Sequence, residues 1–285
     1  MLPNDFQFSQ SSLQDFADCP RRFYLRYIRR VNYPAAISEP LEDVEAHMAR
    51  GDAFHALAHG YLIGIDKDEL AETITDDQLA VWWESWLRAG LRDLPPNRTP
   101  EITLTAPLAG YRLIAKYDLI ALDEHGRVVI ADWKTSLNVP KRERLLDRLQ
   151  TLVYRYVLVE AGHTLNDGKP ITPDQVNMMY WFAVQPEHPI LLGYDAVEHE
   201  RTRALLTGMI KDIQRRCEIG ESAFELTNNL RRCDFCQYRS LDERGTMAGN
   251  FYTFGDDGMS VDEPTDFADD LPPDFTLDQI AEIEF

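Results

Sequence analysis

Asp118, Asp132, Lys134, Gln150 and Tyr154 follow one another along the chain: two carboxylates, an ammonium, an amide and a phenol. The first three lie in two apolar runs, Ala115-Lys116-Tyr117-Asp118-Leu119-Ile120 and Val129-Ile130-Ala131-Asp132-Trp133-Lys134-Thr135. Between the runs stands Asp123-Glu124-His125-Gly126, a turn-forming stretch, so the pattern predicts a β hairpin. Such a hairpin holds two carboxylates and one ammonium close together at the end of a small sheet. Paired carboxylates repel unless a cation sits between them, and hard oxygen ligands favour Mg²⁺ or Mn²⁺. Lys134 is two residues beyond Asp132 and shares its face of the strand. A cation that acidifies a water, beside a fixed positive charge, suits attack on a phosphodiester.

An acid and a lysine on one strand are, by themselves, usually a solvated edge, and Asp-Trp-Lys alone is more often structural. The flanking segments shift that balance. Upstream, Ala49-Arg50-Gly51-Asp52-Ala53-Phe54-His55 lies among helix formers. Downstream, Gln150 and Tyr154 are one helical turn apart, on a helix that also carries Leu145, Leu149, Leu152 and Val153.

Several elements must position these groups. Residues 9–30 read as a helix opened by Ser11 or Ser12, with Leu13, Phe16, Phe23 and Tyr27 as its apolar stripe. A second helix over 43–64 carries His55 and His59, and a third over 67–93 offers Trp82, Trp83 and Trp86 as core anchors. Strands are predicted at 101–108, 111–122 and 127–134, followed by a long helix at 141–161. A strand pair at 175–184 and 190–195, around Pro186 and Pro189, and a helix at 197–218 lead to a cysteine-bearing segment. The sequence has no internal repeat.

These residues together resemble the RecB-type branch of the PD-(D/E)XK nuclease superfamily, close to the AddB nuclease domain and Cas4. The resemblance runs from about Phe8 to Asp242. The opening, Phe8-Ser9-Gln10-Ser11-Ser12-Leu13 through Phe16 to Cys19-Pro20-Arg21-Arg22-Phe23-Tyr24-Leu25, is similar to that family's N-terminal pattern. His55 matches its helical metal-ligand histidine, Asp118 and Asp132 its acidic ligands, Lys134 its catalytic lysine, and Gln150 and Tyr154 its Gln-x-x-x-Tyr motif. The resemblance implies an α/β fold: a restriction-endonuclease-like αβββα core with a mixed central sheet, extra N-terminal helices and a C-terminal Cys-bearing segment. It also implies hydrolysis of DNA, with His55, Asp118, Asp132 and the Trp133 carbonyl around one or two divalent cations. Lys134 would then orient the attacking water or neutralise developing charge. Gln150 and Tyr154 would position the DNA backbone or that water. His59 could pair with His55 as a metal site, but the family motif uses one histidine here, which favours a core or rim position.

Composition bounds the rest. The chain has 285 residues, 44% hydrophobic and 11% aromatic, ordinary values for a globular protein with one substantial core. No apolar run is long enough to span a bilayer. The start, Met1-Leu2-Pro3-Asn4-Asp5, lacks a basic stretch before an apolar one, so a cytoplasmic location is expected. The net charge of −19 looks wrong for holding DNA, but eleven acids and no Lys or Arg lie from Asp256 onward, leaving −8 for the remainder. Basic residues cluster at Arg21, Arg22, Arg26, Arg29 and Arg30, at Lys141, Arg142, Arg144 and Arg148, and at Arg231 and Arg232. Beside a phosphodiester-cleaving constellation such clusters read as nucleic-acid contacts. The expected organisation is a nuclease domain over 1–245 and an acidic, disordered tail over 246–285. The tail's end, Phe275 to Phe285, suits either a short partner-binding helix or plain solubilisation.

The four cysteines are Cys19, Cys217, Cys233 and Cys236. Without an export signal, disulfides are not expected. Cys233 and Cys236 form a CxxC pair; with Cys19 they resemble the [4Fe–4S] staple of the same family. The family's next ligand position is a cysteine, and here it is Asp242, a harder donor than iron–sulfur clusters normally take. Three readings follow: Asp242 is the non-Cys fourth ligand, Cys217 swings in, or the cluster is lost and the thiols are packed. A cluster would close a loop of about 215 residues and act structurally. Two rivals to a nuclease are a catalytically idle DNA-binding or scaffold subunit and a zinc-binding interaction protein built on the three cysteines. DNA, single-stranded or with single-stranded ends, is the expected partner. No GxxxxGK[ST] motif occurs, so coupling to unwinding requires a helicase or repair-complex partner, reached through the acidic tail.

Overall fold

Alternating apolar residues at 97–122 and a fully buried run at 128–134 make one long hairpin and one buried central strand, and a sheet grows around them. In the computed structural model the described residues are 2–3, 5–32, 39–136, 138–233 and 236–245. The expected acidic tail and the Asp234-Phe235 pair lie outside them. The chain divides into two compact units. One is drawn from Met1–Pro3, Ser11–Ala49 and Asp212–Phe285 and the other from Asn4–Gln10 and Arg50–Lys211, each over its described residues.

The second unit contains the six strands found among the described residues: β1 (Gln7–Ser9), β2 (Asn97–Leu108), β3 (Tyr111–Leu122), β4 (Val128–Lys134), β5 (Val176–Phe182) and β6 (Ile190–Gly193). β2 pairs antiparallel with β3 along its whole length. The other edge of β3 is shared by β1, parallel over Arg112–Ile114, and β4, antiparallel over Leu119–Leu122. β4 pairs in parallel with β5, and β5 antiparallel with β6, so the sheet is mixed as expected. The β3–β4 turn closes where the sequence places it. The Asp123 carboxylate accepts the N–H groups of His125 and Arg127, each at 2.9 Å, and Gly126 takes φ +85°.

Helices cover both faces. Phe54, Leu57 and Ala58 of α3 (Glu39–Leu62) and Trp82, Trp83 and Trp86 of α5 (Asp77–Ala89) pack with Leu119, Val129, Ala131, Trp133, Met179 and Trp181. The three tryptophans are thus core anchors, as the sequence indicates. Side chains of α7 (Leu149–Ala161) meet the opposite face of β4 and β5 through Gln150 and Thr151. The order helix, three strands, helix reproduces the αβββα core.

Three helices expected as continuous are broken, each for a local reason. Residues 9–30 split at Cys19, whose φ of −158° is extended because the following residue is Pro20. They form α1 (Gln10–Asp18), α2 (Pro20–Phe23) and a π-helical turn over Tyr24–Ile28. Residues 67–93 divide into α4 (Lys67–Glu72) and α5, because the Asp76 carboxylate accepts the Leu79 N–H at 2.8 Å and caps a new helix. Residues 141–161 divide at Arg148, extended at ψ 135°, into α6 (Arg142–Asp147) and α7, which puts Gln150 in the first turn of α7. The three-residue β1 has no counterpart in the sequence reading, and β2 begins four residues earlier than expected. The chain from Ala196 to Ile219 forms α8, the last α-helix among the described residues. Among the described residues no helix is long and apolar enough to cross a membrane.

Candidate active site

Asp118 stands where the β3–β4 ladder stops. Leu119 is the last β3 residue paired with β4, opposite Ala131. Beyond it the strands part, and the Asp118 carboxylate accepts the Trp133 backbone N–H at 3.0 Å. β4 continues, paired on its other edge, with Asp132 beside Tyr180 and Lys134 beside Phe182. Alternation sends Trp133 to the opposite face, where its ring meets Trp86 edge-on at 5.3 Å. A buried tryptophan therefore fixes the strand between the two polar residues that flank it.

Asp132 and Lys134 pair directly, Nζ to Oδ2 at 2.9 Å, with side chains only 3% and 10% exposed. The Gln150 amide donates to Asp132 Oδ1 at 2.9 Å. Tyr154, one turn further along α7, is buried. Burial pushes its phenol well above the usual range, and the Asp132 and Asp118 carboxylates reinforce the shift, so it stays protonated as a donor. Its main-chain carbonyl accepts the Tyr117 hydroxyl at 2.9 Å, tying α7 to β3. From the other face, His55 Nδ1 of α3 lies 3.6 Å from Asp118 Oδ2. A Cβ at Gly51, one turn before His55, would come 3.0 Å from Thr135 Oγ1, so glycine lets α3 run close to the chain leaving β4.

The donor set is one imidazole with carboxylate oxygens, chemistry that suits Mg²⁺ or Mn²⁺. His55 and Asp118 already stand together, whereas Asp132 is engaged by Lys134 and Gln150. Among the described residues no three His, Cys, Asp or Glu side chains converge into a metal cage. His55, Asp118 and Asp132 are the side chains that would hold a divalent cation. His59, expected at a core or rim position, is half-buried near the end of α3. Lys141, Arg142 and Arg144 are exposed, and Arg148 half-buried, directly before Gln150. Sequence reasoning misses Glu101, which lies opposite Asp118 in the β2–β3 register at φ +48°. No sequence signal marks it.

The cysteine-bearing segment belongs to the first unit. Cys19 and Cys233 are buried; Cys236 is half-buried, and burial pushes its thiol up to about 11, with Cys19 and Cys233 adding to the shift. Asp242 lies 3.4 Å from Arg21, whose guanidinium also reaches Glu221 at 2.7 Å. Among the described residues the three thiols and Asp242, which Arg21 already holds, do not converge into a metal site as they stand.

A model of the PD-(D/E)XK nuclease superfamily matches residues 7–241. No curated protein matches the chain. Among solved structures, a Eubacterium rectale protein provisionally described as an exonuclease aligns at 12% identity and a TM-score of 0.47, over 74% of this chain and 81% of its own. The protein SSO0001 aligns at 13% identity and a TM-score of 0.37, over 82% and 84%. The family match spans Asp118, Asp132, Lys134, Gln150 and Tyr154 as well as most of both units, and the chain belongs to the PD-(D/E)XK nuclease superfamily.

Proposed function

We propose that the chain is a Mg²⁺- or Mn²⁺-dependent nuclease that hydrolyses DNA phosphodiester bonds, of the RecB-type branch and acting in DNA repair, recombination or defence. The observation that carries this reading is the Asp132–Lys134–Gln150 cluster beside Asp118 at the parting of β3 and β4. A bound divalent cation would supply the acidified water and polarise the phosphate. Lys134 turns its ammonium to the charge that develops on the phosphate, the position in which a buried cation contributes most. Gln150 holds Asp132 in place by its amide, and Tyr154 offers a proton donor at the same wall. Lys141, Arg142, Arg144 and Arg148 hold the DNA backbone, a contact that weakens with salt. Cleavage of labelled single- and double-stranded oligonucleotides, with Mn²⁺ and with chelator, tests the proposal. No metal-dependent cleavage of either strand form would leave a DNA-binding or scaffold subunit, recruited through the acidic tail, as the reading.

His55→Ala is expected to raise the Mn²⁺ concentration needed for half-maximal cleavage by about 10–100-fold, with partial recovery at high Mn²⁺, since water can replace a lost ligand. Its melting temperature should change little, because the imidazole is 28% exposed. A large drop in melting temperature with no recovery by metal would make His55 a core histidine instead.

For the cysteines, we propose a [4Fe–4S] cluster held by Cys19, Cys233 and Cys236. Asp242 would leave Arg21 to become the fourth ligand. Asp242→Cys is then expected to retain more iron than the natural chain after anaerobic purification, and Cys233→Ser to retain almost none. Cys217→Ser should leave iron content unchanged. Iron analysis and visible absorbance of the three variants check this; absence of iron in all of them would mean packed thiols.

A further inference from the structure

Successive residues of a strand alternate between faces, so Tyr117 and Leu119 should point the same way. They do not. The Tyr117 hydroxyl donates to the main chain of Tyr154 on α7, and its ring lies 4.8 Å from the Tyr154 ring. Leu119, two residues on, packs with Phe54, Trp82 and Trp86 on the opposite face. β3 thus turns over at Asp118. Its register is the same on both sides of the reversal: Pro100 faces Leu119 and Ile102 faces Tyr117. No residue has been inserted, so the change is absorbed without a bulge, by backbone angles at Asp118 and at the position facing it. That position is Glu101, with φ +48° in a region that side chains other than glycine, Asn and Asp rarely adopt. Its carboxylate lies 3.0 Å from Lys116 Nζ, the β3 residue two before Asp118. The overturned Asp118 has its carboxylate bonded to the Trp133 N–H rather than directed to either helix layer alone, and His55 of α3 stands 3.6 Å from the same oxygen.

We infer that Glu101 is a positioning residue: its left-handed backbone turns the β2–β3 pair over at Asp118 and aims that carboxylate at the β3–β4 opening. The metal-binding part of this inference rests on the proposed function; the backbone part does not. Strain of this kind persists where surrounding structure over-determines it, and such positions gather at functional sites. The carboxylate is secondary, since the ion pair with Lys116 is partly exposed. A residue content with positive φ should therefore replace Glu101, and one that resists it should not.

The test compares Glu101→Gly, Glu101→Asn, Glu101→Ala and Glu101→Val in the full chain. Two readouts are used: exchange protection of the Trp133 amide by NMR, without metal, and Mn²⁺ affinity from the free-ion EPR signal. Gly and Asn are expected to keep both, with Gly raising the denaturation midpoint by relief of strain. Val is expected to expose the Trp133 amide and weaken Mn²⁺ binding about tenfold, and Ala to fall between. If Val does not fold, the contrast between Ala and Gly decides. A protected Trp133 amide with unchanged Mn²⁺ affinity in Val or Ala would overturn the inference. So would a Gly variant as defective as Val, which would make the carboxylate the active part. Asp118→Asn separates the two layers. Unchanged Mn²⁺ affinity there, alongside an exposed Trp133 amide in Glu101→Val, removes the metal reading and upholds the backbone role.

Discussion

Asp132→Asn is expected to lower cleavage by on the order of a thousandfold, and Lys134→Met to do the same. Both lie at the end of β4 with side chains almost wholly buried, and each is the other's counter-ion at 2.9 Å. That pairing alters what the simplest variants report. Removing one partner of a buried ion pair leaves the other uncompensated, at a cost of about 3–5 kcal/mol. Asp132→Ala or Lys134→Ala would therefore lose stability along with activity, and inactivity alone would not locate the site. The double variant Asp132→Asn/Lys134→Met removes both charges in similar shapes, and it should regain much of the stability while regaining no cleavage. Urea unfolding and single-turnover cleavage by the folded protein, measured on all three, separate the effects. Near-natural cleavage by Asp132→Asn, or activity returning with stability in the double variant, would remove this cluster from the chemistry.

The parts of the site that lie close in sequence are legible from residue types and spacing alone. A period-two hairpin around Asp123–Gly126 brings Asp118 near Asp132, and a two-residue step puts Lys134 beside it. The four-residue step from Gln150 to Tyr154 is equally plain, because helical spacing survives a break at Arg148 just before it. The break itself carries no sequence mark. The split at Cys19 does carry one, in Pro20, but an apolar stripe from Leu13 to Tyr27 outweighs a single proline when only periodicity is counted. Glu101 lies beyond sequence reading for a different reason: a left-handed φ at a glutamate is imposed by what surrounds it. The direct ion pair between Asp132 and Lys134 is likewise not written in the spacing. A shared face predicts neighbourhood, not whether the ammonium serves a metal or the carboxylate.

Arg22→Met is expected to destabilise the first unit by about 3 kcal/mol, whether or not iron is bound. The Arg22 guanidinium lies 2.8 Å from Asp15 and 2.5 Å from Asp18, and all three side chains are largely buried. Burial alone would lower its pKa, yet the two carboxylates hold it raised, so the charge is kept. Asp15 also takes Arg26 at 3.1 Å and the Tyr27 hydroxyl at 3.0 Å, and Asp18 takes Gln14 at 2.8 Å. From the far end of the chain Arg232 reaches Asp18 at 3.5 Å, and the Tyr238 hydroxyl donates to the Val31 carbonyl at 3.0 Å. These contacts join the N-terminal helices to the CxxC segment without any metal. The remaining partners keep the loss below the upper end for a broken buried pair, because neither aspartate is left alone. If the ionic clasp dominates, Arg22→Met lowers the unfolding midpoint more than Cys233→Ser does in iron-free protein. If a cluster carries the junction, iron-loaded Arg22→Met unfolds near the natural midpoint and Cys233→Ser falls furthest. Comparing the two variants with and without iron by urea unfolding decides between a polar clasp and an inorganic one. An Arg22→Met variant as stable as the natural chain in iron-free form would show that the network contributes nothing to holding the unit together.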